Sequence, residues 1–182
     1  MKPMNSQTAF EFISAEFEST VLPTLCEYIK IPSSSPAYDT GTNSTTTEQV
    51  IELMVKWVSL QNIEGLELHV RRIEGRTPLI FLKVIGAYTV SPGSILMYGH
   101  PDKQPPFSGW NADLGPYIPV IKENQHGRVL YGRAGADDGY AIFGAVLALK
   151  ALKAQGIPFS DVFISTSATM IPLKLFVSQR PS

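Results

Sequence analysis

Residues 94–102 read Ser94-Ile95-Leu96-Met97-Tyr98-Gly99-His100-Pro101-Asp102. The apolar run at its start is typical of a short buried strand, and the polar residues follow where that strand would end. Residues two apart in an extended segment point to the same side, so His100 and Asp102 can face the same space. Pro101 between them restricts the backbone of its neighbours. The stretch therefore predicts a strand that carries an imidazole and a carboxylate at its carboxyl end.

A second acidic turn lies between a strand-like run and a long apolar helical stretch. It reads Gly132-Arg133-Ala134-Gly135-Ala136-Asp137-Asp138-Gly139. Backbone N–H groups at a helix start favour carboxylates, and α/β sheets commonly place their sites at the carboxyl ends of strands. Imidazole and carboxylate together suit zinc and similar divalent ions. Each turn alone also has a plain explanation, since His-x-Asp occurs by chance and the two aspartates are typical of a helix N-cap.

The periodicity of the remaining chain predicts an α/β fold with helices packed on a mixed, mostly parallel sheet. The first helix is expected to begin at a capping box formed by Thr8 and Glu11, to bury a face that includes Phe10, and to kink or restart at Pro23. Further helices are predicted at about 45–58 and 138–155. Strands are predicted at 66–72, 79–85, 94–98 and 161–165, and a hairpin over 117–131.

Composition excludes several classes of function. The chain has 182 residues, of which 44% are hydrophobic and 17% charged, with a formal net charge of -1. No basic face indicates a nucleic-acid partner, and no apolar run is long enough to span a membrane. The single cysteine, Cys26, excludes an internal disulfide and fits a reducing compartment, and the N-terminus has no apolar signal core. We therefore expect a cytoplasmic protein.

Five stretches, in their order and spacing, resemble one family of metallopeptidases. That family includes carnosine dipeptidase, carboxypeptidase G, aminoacylase, acetylornithine deacetylase and succinyl-diaminopimelate desuccinylase, which hydrolyse amide bonds with two adjacent zinc, cobalt or manganese ions. The resemblance implies a metal-dependent hydrolase of small peptides or N-acyl amino acids, of dipeptidase, carboxypeptidase or deacylase type. The stretches are Tyr98-Gly99-His100-Pro101-Asp102, Pro105-Pro106, Gly109-Trp110, Leu130-Tyr131-Gly132-Arg133 and Ala136-Asp137-Asp138-Gly139.

The resemblance also implies roles for particular residues. His100 matches a histidine that binds one metal, and Asp137 matches the carboxylate that bridges both. Asp102 matches the catalytic-site aspartate that hydrogen-bonds and orients the histidine. Asp138 has no ligand role in the pattern and is expected to cap the following helix. Trp110 is a candidate for lining the substrate path, with local packing as the alternative.

The sequence departs from the family pattern in three places. Gly139 and Tyr140 stand where the family has Lys-Gly, and Ala134 replaces a glycine. The family places a Glu-Glu pair and later ligands after the strand at 162–165, but no Asp, Glu or His follows Asp161. These absences predict that 1–165 form the N-terminal part of a metallopeptidase catalytic domain and that 166–182 are an atypical tail, without the family's lid domain.

A truncated reading frame would explain this ending. Two ligands cannot close a catalytic zinc site, so occupancy by both metals is doubtful and we expect the chain alone to be inactive. The alternative is a non-catalytic fragment or interaction module that retains part of the fold. In either case, uncovered apolar surface predicts a homo-oligomer.

Overall fold

The computed structural model describes residues 3–38, 43–86, 93–125 and 127–167. Its α-helices are α1 (Ser6–Glu16), α2 (Leu22–Lys30), α3 (Asn43–Leu60) and α4 (Ala141–Ala154), with a π-helical turn at Phe17–Val21 and a 3-10 turn at Pro36–Tyr38. Its strands are β1 (Leu66–Arg71), β2 (Leu79–Val84), β3 (Ser94–Gly99), β4 (Val120–Asn124), β5 (Gly127–Tyr131) and β6 (Asp161–Ser167). The predicted tail thus begins inside β6, and its remainder, 168–182, lies outside the described residues.

The start of the chain corrects two details of the sequence analysis. The N-cap of α1 is Asn5, whose side chain accepts a hydrogen bond from the Thr8 N–H at 3.0 Å, so the predicted capping box is wrong. Phe10 is 68% exposed, because α1 turns Ala9 and Ile13 toward the core and Phe10 lies outside that stripe. The predicted restart at Pro23 is confirmed, since this proline lies in the first turn of α2.

A four-stranded sheet with the order β1-β2-β6-β3 forms the centre of the fold. β1 pairs antiparallel with β2, β2 pairs antiparallel with β6, and only β6 and β3 run parallel among these pairings. The predicted α/β class and mixed sheet are confirmed, but the expectation of mostly parallel strands is wrong for the described sheet. The connection between β1 and β2 is too short for the crossover that a parallel pair requires. β4 and β5 form the predicted hairpin as a separate two-stranded sheet.

The helices cover one face of this sheet. Alternate residues of β2 and β6 point into the core from that face, including Leu82 and Ile164, and the helices supply the other side. Trp57 of α3 and Phe143 of α4 meet edge to face with ring centroids 4.7 Å apart, which joins two helices within the core. No helix in the described part of the chain is both long and apolar enough to cross a membrane.

Strand β3 is not the buried strand that its sequence predicts. It lies at an edge of the described sheet, and Ile95, Leu96 and Tyr98 are 45–49% exposed. Next to Leu96 in register, Phe163 of β6 stacks with Phe81 of β2 at 5.9 Å between ring centroids. We call Leu96, Tyr98, Phe81 and Phe163 the open face of the sheet.

We propose that the chain self-associates through β3 and the open face, since edge strands and apolar patches tend to pair. A Leu96→Lys substitution places a charge in this surface and is expected to shift the protein toward monomer in sedimentation velocity. Ile73→Lys is the matched control, because Ile73 is equally apolar and 66% exposed but lies in the turn between β1 and β2. A wild-type chain that stays monomeric at high concentration, or an equal effect of both substitutions, would contradict the proposal.

Candidate metal centre

The end of β3 lies directly against the start of α4. A Cβ atom on Gly99 would be 2.4 Å from the Cβ of Ala141, so only glycine allows this approach. His100 follows at once, and its backbone N–H donates a hydrogen bond to Asp138 Oδ2 at 3.2 Å. The two acidic turns that the sequence singled out therefore meet at one place.

The structure brings the predicted site residues together. His100 Nδ1 lies 3.1 Å from Asp102 Oδ1, and His100 Nε2 lies 3.5 Å from Asp137 Oδ1. The side chain of Asp102 is only 11% exposed, whereas that of Asp137 is 69% exposed. The buried carboxylate thus lies on one side of the imidazole and the accessible carboxylate on the other.

This geometry fits the chemistry of a divalent cation. With ligand distances of about 2.0–2.2 Å and tetrahedral angles, two donors on one zinc ion are about 3.4 Å apart. The 3.5 Å between His100 Nε2 and Asp137 Oδ1 matches that separation. The number of donors is smaller than zinc needs, because the described residues contain no group of three or more His, Cys, Asp or Glu side chains that could hold a metal.

The imidazole of His100 is not held by a hydrogen bond through Nδ1. Its Nδ1 is buried and makes no aligned hydrogen bond, although Asp102 Oδ1 is within range. A proton on Nδ1 would lie on the side of Asp102 and leave the Nε2 lone pair on the side of Asp137. Asp102 therefore lies where an orienting aspartate is needed.

Asp138 does not cap the helix as the sequence predicted. α4 begins at Ala141, and its N-cap residue, Tyr140, makes no side-chain capping bond. The Asp138 carboxylate instead accepts from His100 N–H, a donor that the sequence could not reveal as a neighbour. The peptide bond between Asp137 and Asp138 is cis.

Two buried residues that the sequence analysis missed support the first turn. Tyr28 of α2 is fully buried, and its hydroxyl donates to the Pro101 carbonyl at 2.8 Å. Lys103 is also fully buried, with Nζ 3.6 Å from the centre of the Tyr28 ring and donating to Tyr28 O and Ser33 Oγ. Helical spacing marks Tyr28 as a core residue, but no sequence signal distinguishes Lys103 from a surface lysine.

Burial changes the acid–base properties of both groups. Desolvation lowers the pKa of Lys103 to about 7, even though the nearby Asp102 opposes the shift. The pKa of Tyr28 is raised, first by burial and then by the charges of Asp102, Asp138 and Asp137. Three carboxylates thus produce a negative potential at the place where the two turns meet.

Of the two departures from the family pattern in the second turn, packing explains Gly139, whereas Ala134 carries backbone strain. A Cβ on Gly139 would be 2.1 Å from Tyr28 Cε1, so no larger residue fits while this tyrosine is in place. Ala134 is buried and has a φ of 64°, a left-handed conformation that costs a non-glycine residue energy. Its carbonyl accepts the Gly139 N–H at 3.2 Å and closes the turn.

The other residues that the sequence singled out have contacts of their own. Trp110 is partly buried in the loop after the first turn and donates through Nε1 to Pro106 O at 2.8 Å. His69 lies on β1 with its side chain 42% exposed beside Glu67, as a surface residue. His126, in the predicted hairpin turn, lies outside the described residues.

Replacing Ala134 by glycine is expected to stabilise the fold. Left-handed backbone costs alanine about 1–2 kcal/mol, whereas the greater freedom of unfolded glycine costs about 0.5–1 kcal/mol. We expect Ala134→Gly to raise the free energy of unfolding by about 0.5 kcal/mol in urea denaturation. The matched control is Ala136→Gly in the same turn, where φ is not positive and the substitution should destabilise. If both substitutions lower the free energy of unfolding equally, the left-handed backbone at Ala134 does not reduce stability.

The lowered pKa of buried Lys103 predicts that the free energy of unfolding depends on pH near neutrality. Between pH 7 and about 10 the unfolded lysine keeps a proton that the folded lysine has lost, so the free energy of unfolding should rise with pH. Its contribution is flat below pH 7, where the lysine is charged in both states. Urea denaturation from pH 6 to 9 should show the difference between wild type and Lys103→Met growing by about 1 kcal/mol per unit above pH 7.

The control for this experiment is Lys83→Met, which removes an ammonium from a surface pair with Glu67. Its difference from wild type should stay constant over the same range. A constant difference for Lys103→Met as well would show that the buried lysine does not release a proton on folding.

Comparisons by sequence find no protein-family profile and no curated protein that matches the chain. Solved structures do match. The dipeptidase Dug1p of Saccharomyces cerevisiae is 22% identical with a TM-score of 0.62, over 88% of this chain and 34% of that chain. Human carnosine dipeptidase 1 is 20% identical with a TM-score of 0.65, over 96% and 38%. The M20 family metallo-carboxypeptidase Sso-CP2 of Sulfolobus solfataricus is 19% identical with a TM-score of 0.55, over 81% and 30%.

These likenesses establish the fold. The chain spans about a third of the length of the solved structures that it matches. The fold of these solved structures is the one that the resemblance of the two turns implied. The chain has the fold of the M20 family dipeptidases and peptidases.

Proposed function

We propose that the chain carries one half of the metal site of a metal-dependent hydrolase that cleaves amide bonds in small peptides or N-acyl amino acids. The observation that carries the proposal is the convergence of His100 and Asp137 at the spacing of two ligands on one cation. The structural likeness to a dipeptidase and a metallo-carboxypeptidase supports the reaction class. We also propose a cytoplasmic location, supported by the single cysteine.

Each residue has a role that follows from its position. His100 would bind a metal through Nε2, with Asp102 holding the proton on Nδ1 and fixing the ring. Asp137, the most exposed carboxylate of the three, is accessible to a cation, or to two cations that share its charge. Asp138 anchors the backbone of His100.

A divalent cation in such a site polarises the scissile carbonyl and supplies a nucleophile at neutral pH. Zinc suits the imidazole and carboxylate donors, and cobalt or manganese are compatible with them. The described residues supply two donors, so further ligands and a general base must come from elsewhere. We therefore propose that this chain alone binds metal without turning over substrate.

Isothermal titration with zinc tests the metal site. We expect micromolar binding that His100→Ala or Asp137→Ala abolishes, because each removes one of two donors. Asp102→Asn should weaken binding by about 10–100-fold, since loss of an orienting partner typically has that effect. His69→Ala is the matched control, as it removes an imidazole from a surface position on β1.

Hydrolysis of a dipeptide and of an N-acetyl amino acid, measured with the same variants, distinguishes a metal-dependent hydrolase from a non-catalytic fragment. Zinc binding that is insensitive to His100 and Asp137 would overturn the metal site and favour the alternative, a non-catalytic fragment or interaction module. Turnover by the chain that both substitutions abolish would show that the site is complete in a way that the described residues do not reveal.

A further inference from the structure

An open groove of about 410 Å³ includes Arg133, from the start of the second acidic turn. It is formed between the loop that follows Asp102 and the start of the turn that leads to Asp137. Phe107 and Trp110 come from the loop, and Tyr131 and Arg133 come from the end of β5 and the turn. We call this the Arg133 groove, because Arg133 is the only charged residue among those that line it.

Arg133 is positioned by backbone carbonyls and aromatic rings, and no acidic residue lines the groove beside it. Its backbone N–H donates to Pro116 O at 2.7 Å, and its Nη2 lies 3.5 Å from Pro106 O. Its guanidinium carbon lies 5.0 Å from the centre of the Phe107 ring and 5.6 Å from that of Trp110. Its Nε is buried and has no hydrogen-bond partner in the described part of the chain.

This arrangement gives the guanidinium a backbone carbonyl and two rings as neighbours, and no carboxylate lines the groove beside it. Two aromatic rings contact the cation, and the Pro106 carbonyl that Arg133 approaches also accepts from Trp110 Nε1 at 2.8 Å, which fixes the indole. Because Nε is shielded, a ligand in the groove would meet the terminal nitrogens of the guanidinium, whose contact with Pro106 O is exposed. Phe107 is 64% exposed, so its ring is accessible to a ligand beside the guanidinium.

We propose that the Arg133 groove binds the free carboxylate of a peptide or N-acyl amino acid, with the acyl or side-chain group against Trp110 and Phe107. The planar guanidinium matches a carboxylate through paired N–H donors, and no acidic residue in the groove competes for it. The choice of a carboxylate over other anions rests on the proposed function, because products and substrates of such amide hydrolysis carry one.

The test uses benzoylglycine and its uncharged amide, benzoylglycinamide, with the full chain and no added metal. Trp110 is the reporter, since Trp57, the other tryptophan, is 4% exposed within the core. Benzoylglycine should change the Trp110 emission, and the amide should bind at least about tenfold more weakly, as expected when charge-assisted hydrogen bonds are lost.

Substitutions at Arg133 assign the effect to the groove. Arg133→Gln should weaken benzoylglycine at least about tenfold and remove its advantage over the amide. Arg133→Lys keeps the charge but not the paired donors, so its affinity for benzoylglycine should lie between those of wild type and Arg133→Gln. Arg71→Gln, the same change on an exposed position of β1, should leave the affinity unchanged.

Three results would overturn the proposal. These are equal binding of acid and amide, an affinity that Arg133→Gln does not change, or displacement of benzoylglycine by an equal concentration of inorganic phosphate. His100→Ala separates this proposal from the metal site, because it should abolish zinc binding and leave benzoylglycine binding intact. If benzoylglycine binds in a way that depends on Arg133 but zinc does not bind, the groove is supported and the metal site is rejected. If zinc binds but benzoylglycine does not, the metal site is supported and the groove is rejected.

Discussion

The packing of one buried tyrosine ring determines how the two acidic turns meet. Tyr28 donates its hydroxyl proton to the carbonyl of Pro101, between His100 and Asp102, and its ring occupies the space where a side chain at Gly139 would lie. The ammonium of Lys103 covers the ring from another direction. A buried phenol needs a hydrogen-bond acceptor, and the acceptor here is the backbone of the turn that carries His100 and Asp102. Helix α2 therefore positions residues that are far from it in sequence.

Two close backbone approaches explain why glycines occur around the site. Gly99 allows the end of β3 to approach Ala141, and Gly139 allows the second turn to approach Tyr28. With both approaches in place, Asp138 reaches the backbone of His100 and Asp137 reaches its ring. The distance between the two predicted ligands is thus a consequence of close backbone packing and not of the ligand residues themselves.

The sequence predicted those parts of the molecule that depend on local pattern. The apolar periodicities at Leu79–Val84 and Ala141–Ala154 correspond to a strand and a helix, and the spacing of His100 and Asp102 places both at the end of β3. The exposure of Leu96 was not predictable, because an apolar run reports what a segment can bury and not which neighbour covers it. Lys103 has no local signal, because its role depends on a contact with α2.

The charges at the site give a reason why this arrangement suits a cation. Folding brings Asp102, Asp137 and Asp138 around His100, and the field of all three contributes to the raised pKa of Tyr28. Like charges that are held close together disfavour the folded state, and the nearby ammonium of Lys103 is itself disfavoured by burial. A structure that concentrates negative charge beside an available imidazole nitrogen is stabilised by any divalent ion that binds there, since binding to the folded state alone shifts the equilibrium toward it. In the proposed metal site, neutralisation of these three carboxylates would therefore contribute to the affinity for a cation.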